Sequence, residues 1–154
     1  MRLAVTSPDT MPTPKDIALV VKSFDKVVPI AGLAADIFYD RLFEVAPTLR
    51  PMFPADMRDQ KRKLFVMIAT AVQGLSDLNK LVPHVKALGA RHAGYGVKSS
   101  HYDIVGDALL WTLAKGLGDA FTPDVERAWT RVYGLLAATM QAGATEAITM
   151  RAAE

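Results

Sequence analysis

Apolar residues recur along this chain at spacings of three and four, the signature of helices that bury one face. Ile17, Val20, Val21, Phe24 and Val28 form the first such stripe. Thr13-Pro14-Lys15-Asp16 reads as its start, with Thr13 as N-cap, Pro14 at the first helical position and an acid at the third. Pro29 marks a corner, and the pattern predicts a second helix from about Ile30 to Val45. Pro47, Pro51 and Pro54 allow only short helical turns, so residues 46–56 are expected to be a bent connection containing Phe53. A long helix follows, with Met57, Gln60, Leu64, Met67, Ile68, Ala71 and Leu75 on one face, ending at Gly74-Leu75-Ser76-Asp77.

The next helix is expected to begin near Pro83 and to stop at Gly94-Tyr95-Gly96. Ser99 reads as the N-cap of the one after it, whose stripe is Tyr102, Val105, Leu109, Leu113 and Leu117, closed by Gly116-Leu117-Gly118. Thr122-Pro123-Asp124 repeats the earlier start signal, and the last helix runs through Val125, Trp129, Val132, Leu136 and Met140. Alternating strand patterns, internal repeats and low-complexity segments are all lacking. The expectation is an all-α fold of about seven helices over residues 13–154, after an irregular leader at 1–12.

Composition narrows the function classes. A chain of 154 residues with 51% hydrophobic content suits one domain with a single core. Nothing approaches the roughly 18 uninterrupted apolar residues of a membrane span, and the apolar run at Met1–Val5 is too short for a signal peptide. Without cysteine there is no disulfide framework, thiolate metal site or thiol nucleophile, and a cytoplasmic location is the default expectation. The net charge of +2 is spread along the chain. Its densest cluster, Arg58 with Lys61-Arg62-Lys63, reads as a solvated helix face and is too small to argue for nucleic acid.

The chemistry is in polar residues at apolar positions. Leu81, Val85 and Leu88 lead to His92 on one helical face. An imidazole there must hydrogen-bond, ionise at a cost, or hold a metal. By itself it is either a satisfied core histidine or a ligand. Gln60 interrupts the apolar stripe of its helix, and Tyr39 lies at the edge of another, each with an ordinary structural reading: a buried amide on a backbone group, an amphipathic tyrosine reaching water. His84 at a helix start and His101 outside its helix's stripe are expected at the surface. With no His-x-x-x-His pair a zinc site is not supported, but one histidine on a core-facing helix can be the sole protein ligand of a haem iron.

The order Tyr39-Asp40-Arg41-Leu42-Phe43, Pro47, Phe53, Gln60, Leu64, Arg91-His92 and Tyr102 with Val105-Gly106 resembles the globin family. It is most like the bacterial single-domain globins and the globin domain of flavohaemoglobins. Leu117 to Pro123, Ala128-Trp129 and Tyr133-Gly134 also resemble neuroglobin-type chains, and the likeness covers about residues 14–142. The resemblance implies haem b, with His92 as proximal iron ligand and Phe53 stacked on the ring. Tyr39 and Gln60 would be the distal pair that hydrogen-bonds a diatomic ligand, and Leu64 the apolar wall beside them. Lys63 and Arg91 would pair with the propionates, Tyr102 would lie near the proximal histidine, and Leu88, Tyr95 and Val97 would complete the cofactor contacts.

The expected function is reversible binding of O₂, CO and NO. An alternative is nitric oxide dioxygenation with electrons from an external reductase, because the sequence ends after the globin pattern. A third reading is a haem-free interaction or sensor module, and the chain would be a monomer or homodimer. In flavohaemoglobins a glutamate of the last helix bonds the proximal histidine. Here the corresponding stretch is Gln141-Ala142-Gly143-Ala144, with Glu146 slightly late. If no carboxylate reaches His92, its Nδ1–H is expected to bond a backbone carbonyl such as that of Leu88.

Overall fold

The computed structural model describes residues 11–153, with side chains over 11–149. Most of the leader expected at 1–12 lies outside the described residues; Met11 and Pro12 enter the first helix without regular structure. Six α-helices follow: α1 Pro14–Val27, α2 Ala31–Val45, α3 Arg58–Gly74, α4 Leu78–Gly94, α5 Ser99–Leu117 and α6 Pro123–Ala153. Short 3-10 turns at Val28–Ile30, Pro47–Met52 and Gly118–Ala120 link them, where prolines and a glycine interrupt the α-helical hydrogen-bond ladder. No strand occurs among the described residues, so the fold is all-α, with six α-helices against the seven or so expected. None of the described helices is long and apolar enough to cross a membrane.

The ends of the helices follow local chemistry. Thr13 caps α1 as expected, in a capping box: its hydroxyl accepts from the Asp16 N–H at 3.1 Å, and Asp16 accepts the Thr13 N–H at 2.9 Å. Two expectations need correction. The helix carrying His92 starts at Leu78, five residues before Pro83, because Asp77 caps it by accepting the Lys80 N–H. Pro83 lies within the helix on its exposed side, where losing one backbone hydrogen bond is tolerated. Ser99 is the first residue of α5 and Lys98 holds the N-cap position, where its N–H donates to His101 Nδ1 at 3.0 Å. His101 is half-exposed and His84 exposed.

The core has two parts. Val20, Phe24, Val72, Leu81, Val85, Leu113, Trp129 and Val132 pack where α1, α3, α4, α5 and α6 meet. Trp129 is anchored there by donating its indole N–H to Ser23 Oγ at 2.8 Å. Phe38, Tyr39, Leu42, Leu49 and Ala108 form the second part, between α2, the 47–52 turn and α5. Leu42 is 2% exposed, so its truncation to alanine would cost about 2–5 kcal/mol. The apolar stripe of α3 differs: Leu64, Met67, Ile68 and Ala71 all remain half-exposed.

Candidate functional site

His92 sits in the last turn of α4, on the face that also carries Leu81, Val85 and Leu88. That turn is held closed by its own carbonyls: the His92 C=O accepts the N–H groups of both Tyr95 and Val97, at 3.0 and 3.1 Å. Gly96 then takes a φ of 88°, a conformation glycine adopts at little cost, and ends the segment. The half-buried His92 ring has Nδ1 2.8 Å from the Leu88 carbonyl. A carbonyl only accepts, so Nδ1 is the donor in this contact, and Nε2 is the ring nitrogen left for a metal, the arrangement of a metal-binding imidazole.

Glu146 does not reach this ring; it pairs with Lys86 at 2.9 Å. Tyr102 is buried at the start of α5, and its backbone carbonyl accepts the Tyr133 hydroxyl at 2.6 Å. Burial raises the pKa of both phenols, further for Tyr133, which also faces Tyr102, Asp103 and Asp107. No hydrogen bond joins the Tyr102 hydroxyl to His92 among the described residues.

Tyr39 and Gln60 come together. Tyr39 is 4% exposed, so its hydroxyl does not serve as a solvent handle. It accepts from Gln60 Nε2 at 3.1 Å. Its own proton has no acceptor among the described residues and is free to be donated. Burial raises the Tyr39 pKa above its ordinary value of 10.0, with the Gln60 bond partly offsetting that, so the phenol stays a donor at neutral pH. Phe53 stands edge-on to Tyr39, ring centres 5.6 Å apart, and edge-on to Phe43 at 5.4 Å.

Sequence reasoning missed Arg50. Its guanidinium donates to the carbonyls of Phe53, Pro54 and Ala55, at 3.0–3.2 Å, and so shapes the loop that presents Phe53. The proline-rich stretch leaves those carbonyls without helical partners, which is the one signal that could have flagged a nearby donor.

The remaining candidates lie at the margin. Lys63 is exposed and pairs with Asp59 of its own helix at 3.1 Å. Arg91 is exposed and makes no ion pair among the described residues. Tyr95 is 70% exposed, its ring centre 6.0 Å from that of His92, and Val97 is half-buried in the turn after it.

These residues fit a haem. No group of three or more His, Cys, Asp or Glu that could hold a metal occurs among the described residues. His92 offers one free nitrogen. Leu64, Ile104 and Val105 are half-exposed apolar residues packed against the cluster that holds Tyr39, and a flat hydrophobic ring would cover surface of that kind. Leu64 and Ile68 also line a cavity of about 40 Å³ shared with Phe24, Phe38, Leu109 and Trp129.

Comparison with known proteins agrees with the all-α fold. The family model described as Globin matches residues 36–140. The chain is 38% identical to a flavohemoprotein of Bacillus subtilis (strain 168) over 105 residues, covering 65% of this chain and 26% of that protein. It thus spans about a quarter of the flavohemoprotein's length. It is 29% identical to a neuroglobin of Tetraodon nigroviridis over 143 residues, covering 84% of this chain and 90% of that one. The matched segment contains Tyr39, Phe53, Gln60 and His92. The chain belongs to the globin family.

Proposed function

We propose that this chain reversibly binds O₂, and with it CO and NO, at a haem b held by His92, with Tyr39 and Gln60 as distal donors. Haem-based ligand binding is the general work of the family. The observation that carries the reading is the state of His92: Nδ1–H engaged by the Leu88 carbonyl at 2.8 Å and Nε2 left to ligate.

A bound haem supplies the iron at which a diatomic ligand coordinates. The chain's residues do the rest. The Leu88 carbonyl fixes the tautomer and orientation of the His92 ring. Because that partner is a neutral carbonyl and Glu146 is engaged elsewhere, His92 is less electron-donating than an imidazole backed by a carboxylate. That favours ligand binding over bond cleavage.

The free Tyr39 proton would be donated to a ligand atom that carries negative charge, while Gln60 holds the phenol in place. Leu64, Phe53, Phe38 and Ile68 keep water from the ligand. Lys63 and Arg91, both exposed, supply cations for the propionates at the solvent edge.

The likeness to a flavohemoprotein supports a second reading, nitric oxide dioxygenation with electrons from a separate reductase. Optical spectra of the ferric, deoxy and CO-bound protein test both. Lack of a Soret band in haem-supplied protein overturns both and leaves a haem-free module. NO consumption sustained by a reductase and NAD(P)H would select the enzyme.

A further inference from the structure

Helices α4 and α6 touch backbone to backbone. A Cβ at Gly89 would stand 2.5 Å from the carbonyl carbon of Met140 and 2.6 Å from its Cα, and one at Gly143 would stand 2.6 Å from the same two atoms of Lys86. Cβ atoms essentially never come within 3.0 Å of another heavy atom, so neither position has room for a methyl group. The contact is reciprocal. Lys86 to Gly89 is a step of three along α4, and Met140 to Gly143 is the same step along α6, so the two helices cross antiparallel with each glycine under the other's backbone. Side-chain-mediated packing keeps helix axes roughly 8–10 Å apart; two glycines in register allow a closer approach.

We propose that Gly89 and Gly143 are positioning residues for the proximal imidazole, seating α4 directly on the α6 backbone with or without cofactor and so fixing where His92 stands. The proposal rests on His92 as the proximal ligand. Gly89 directly follows Leu88, whose carbonyl holds the His92 ring. At about 100° per residue, Gly89 lies about 60° and Lys86 about 120° round the helix from His92. The α6 contact therefore faces about a right angle from the imidazole. Separating the helices slides and tilts the ring sideways instead of moving it along its own direction, which weakens its bond to a fixed metal. The Lys86–Glu146 pair at 2.9 Å flanks this contact at the surface, where an ion pair adds little positional force.

Two measurements test the proposal. In haem-free wild-type protein, the amides of Gly89–His92 should resist hydrogen exchange as strongly as those of α6 around Met140. Exchange at the rate of an unfolded segment would overturn it. In the deoxy ferrous protein, Gly143→Ala and Gly89→Ala should lower the iron–histidine stretching frequency seen by resonance Raman. Gly32→Ala, where a methyl meets nothing within 4 Å, and Lys86→Ala should leave that frequency unchanged. Alanine variants that lose thermal stability while the frequency stays put would show a merely structural contact and overturn the proposal. If neither alanine variant folds, the wild-type exchange result decides. Persistence of a histidine-ligated spectrum in His92→Ala would overturn the functional reading instead, and leaves the exchange result standing.

Discussion

Gln60 Nε2 donates to the Tyr39 hydroxyl at 3.1 Å, joining α3 to α2 across 21 positions of sequence. The direction of this bond matters. Because the phenol oxygen accepts, its proton is left for another acceptor, and burial keeps that proton in place at neutral pH. Removing it in Tyr39→Phe should speed O₂ dissociation about 10- to 100-fold, the equivalent of one charge-assisted hydrogen bond. CO, which develops less negative charge, should respond far less. Gln60→Leu should raise the O₂ rate by a smaller factor, since one of the two Gln60 N–H groups is already spent on the phenol. Stopped-flow ligand replacement measures all three, and unchanged O₂ rates in both variants would remove the distal roles.

His92 is expected to be the one histidine on which haem ligation depends. His92→Gly should lose the histidine-ligated Soret spectrum and regain it with added imidazole. His84→Ala and His101→Ala should keep it, because one ring is exposed and the other is committed to the Lys98 N–H. Haem titration followed optically distinguishes these outcomes.

The buried carboxylate at the start of α1 should make stability depend on pH. Burial works to raise the Asp16 pKa, but the Thr13 N–H and Arg131, each at 2.9 Å, outweigh it and bring the net value below 3.8. A folded-state pKa below the unfolded one contributes stability above the unfolded value, and that stability is lost as pH falls through the folded one. Asp16→Asn should therefore cost about 1–2 kcal/mol at pH 7, a fall of roughly 2–8 °C in Tm. The difference from wild type should shrink below pH 3.8, as thermal melts across pH would show.

Ser23→Ala should be more damaging than its size suggests. It strips the buried Trp129 indole N–H of its acceptor at 2.8 Å, leaving an unpaired donor in the core. The expected cost is about 1–3 kcal/mol by urea denaturation. A loss within a few tenths would mean that water or a repacked neighbour replaces the hydroxyl.

The helices were legible because burial of one face leaves a local periodic record. Thr13-Pro14-Lys15-Asp16 and Gly94-Tyr95-Gly96 marked a start and a stop where they occur. The start of α4 was misread because Pro83 is a strong signal, whereas Asp77 capping Lys80 is a weak one that acts earlier in the chain. His92 stood out for the same local reason: a polar ring on an apolar stripe. Its Leu88 partner was foreseeable, since residues four apart in a helix are neighbours by construction. Arg50 was not, because its three carbonyl partners exist only once the loop has bent back on it.

By itself, then, the sequence determined the all-α class, most helix limits and the singular position of His92, all of which depend on residues within a few turns of one another. The tertiary structure decided the pairing of Tyr39 with Gln60, the diversion of Glu146 to Lys86, and the seating of Gly89 and Gly143. Those depend on where helices cross and how closely. Crossing points are set by the combined packing of side chains from several elements, for which no local spacing along the chain carries a record.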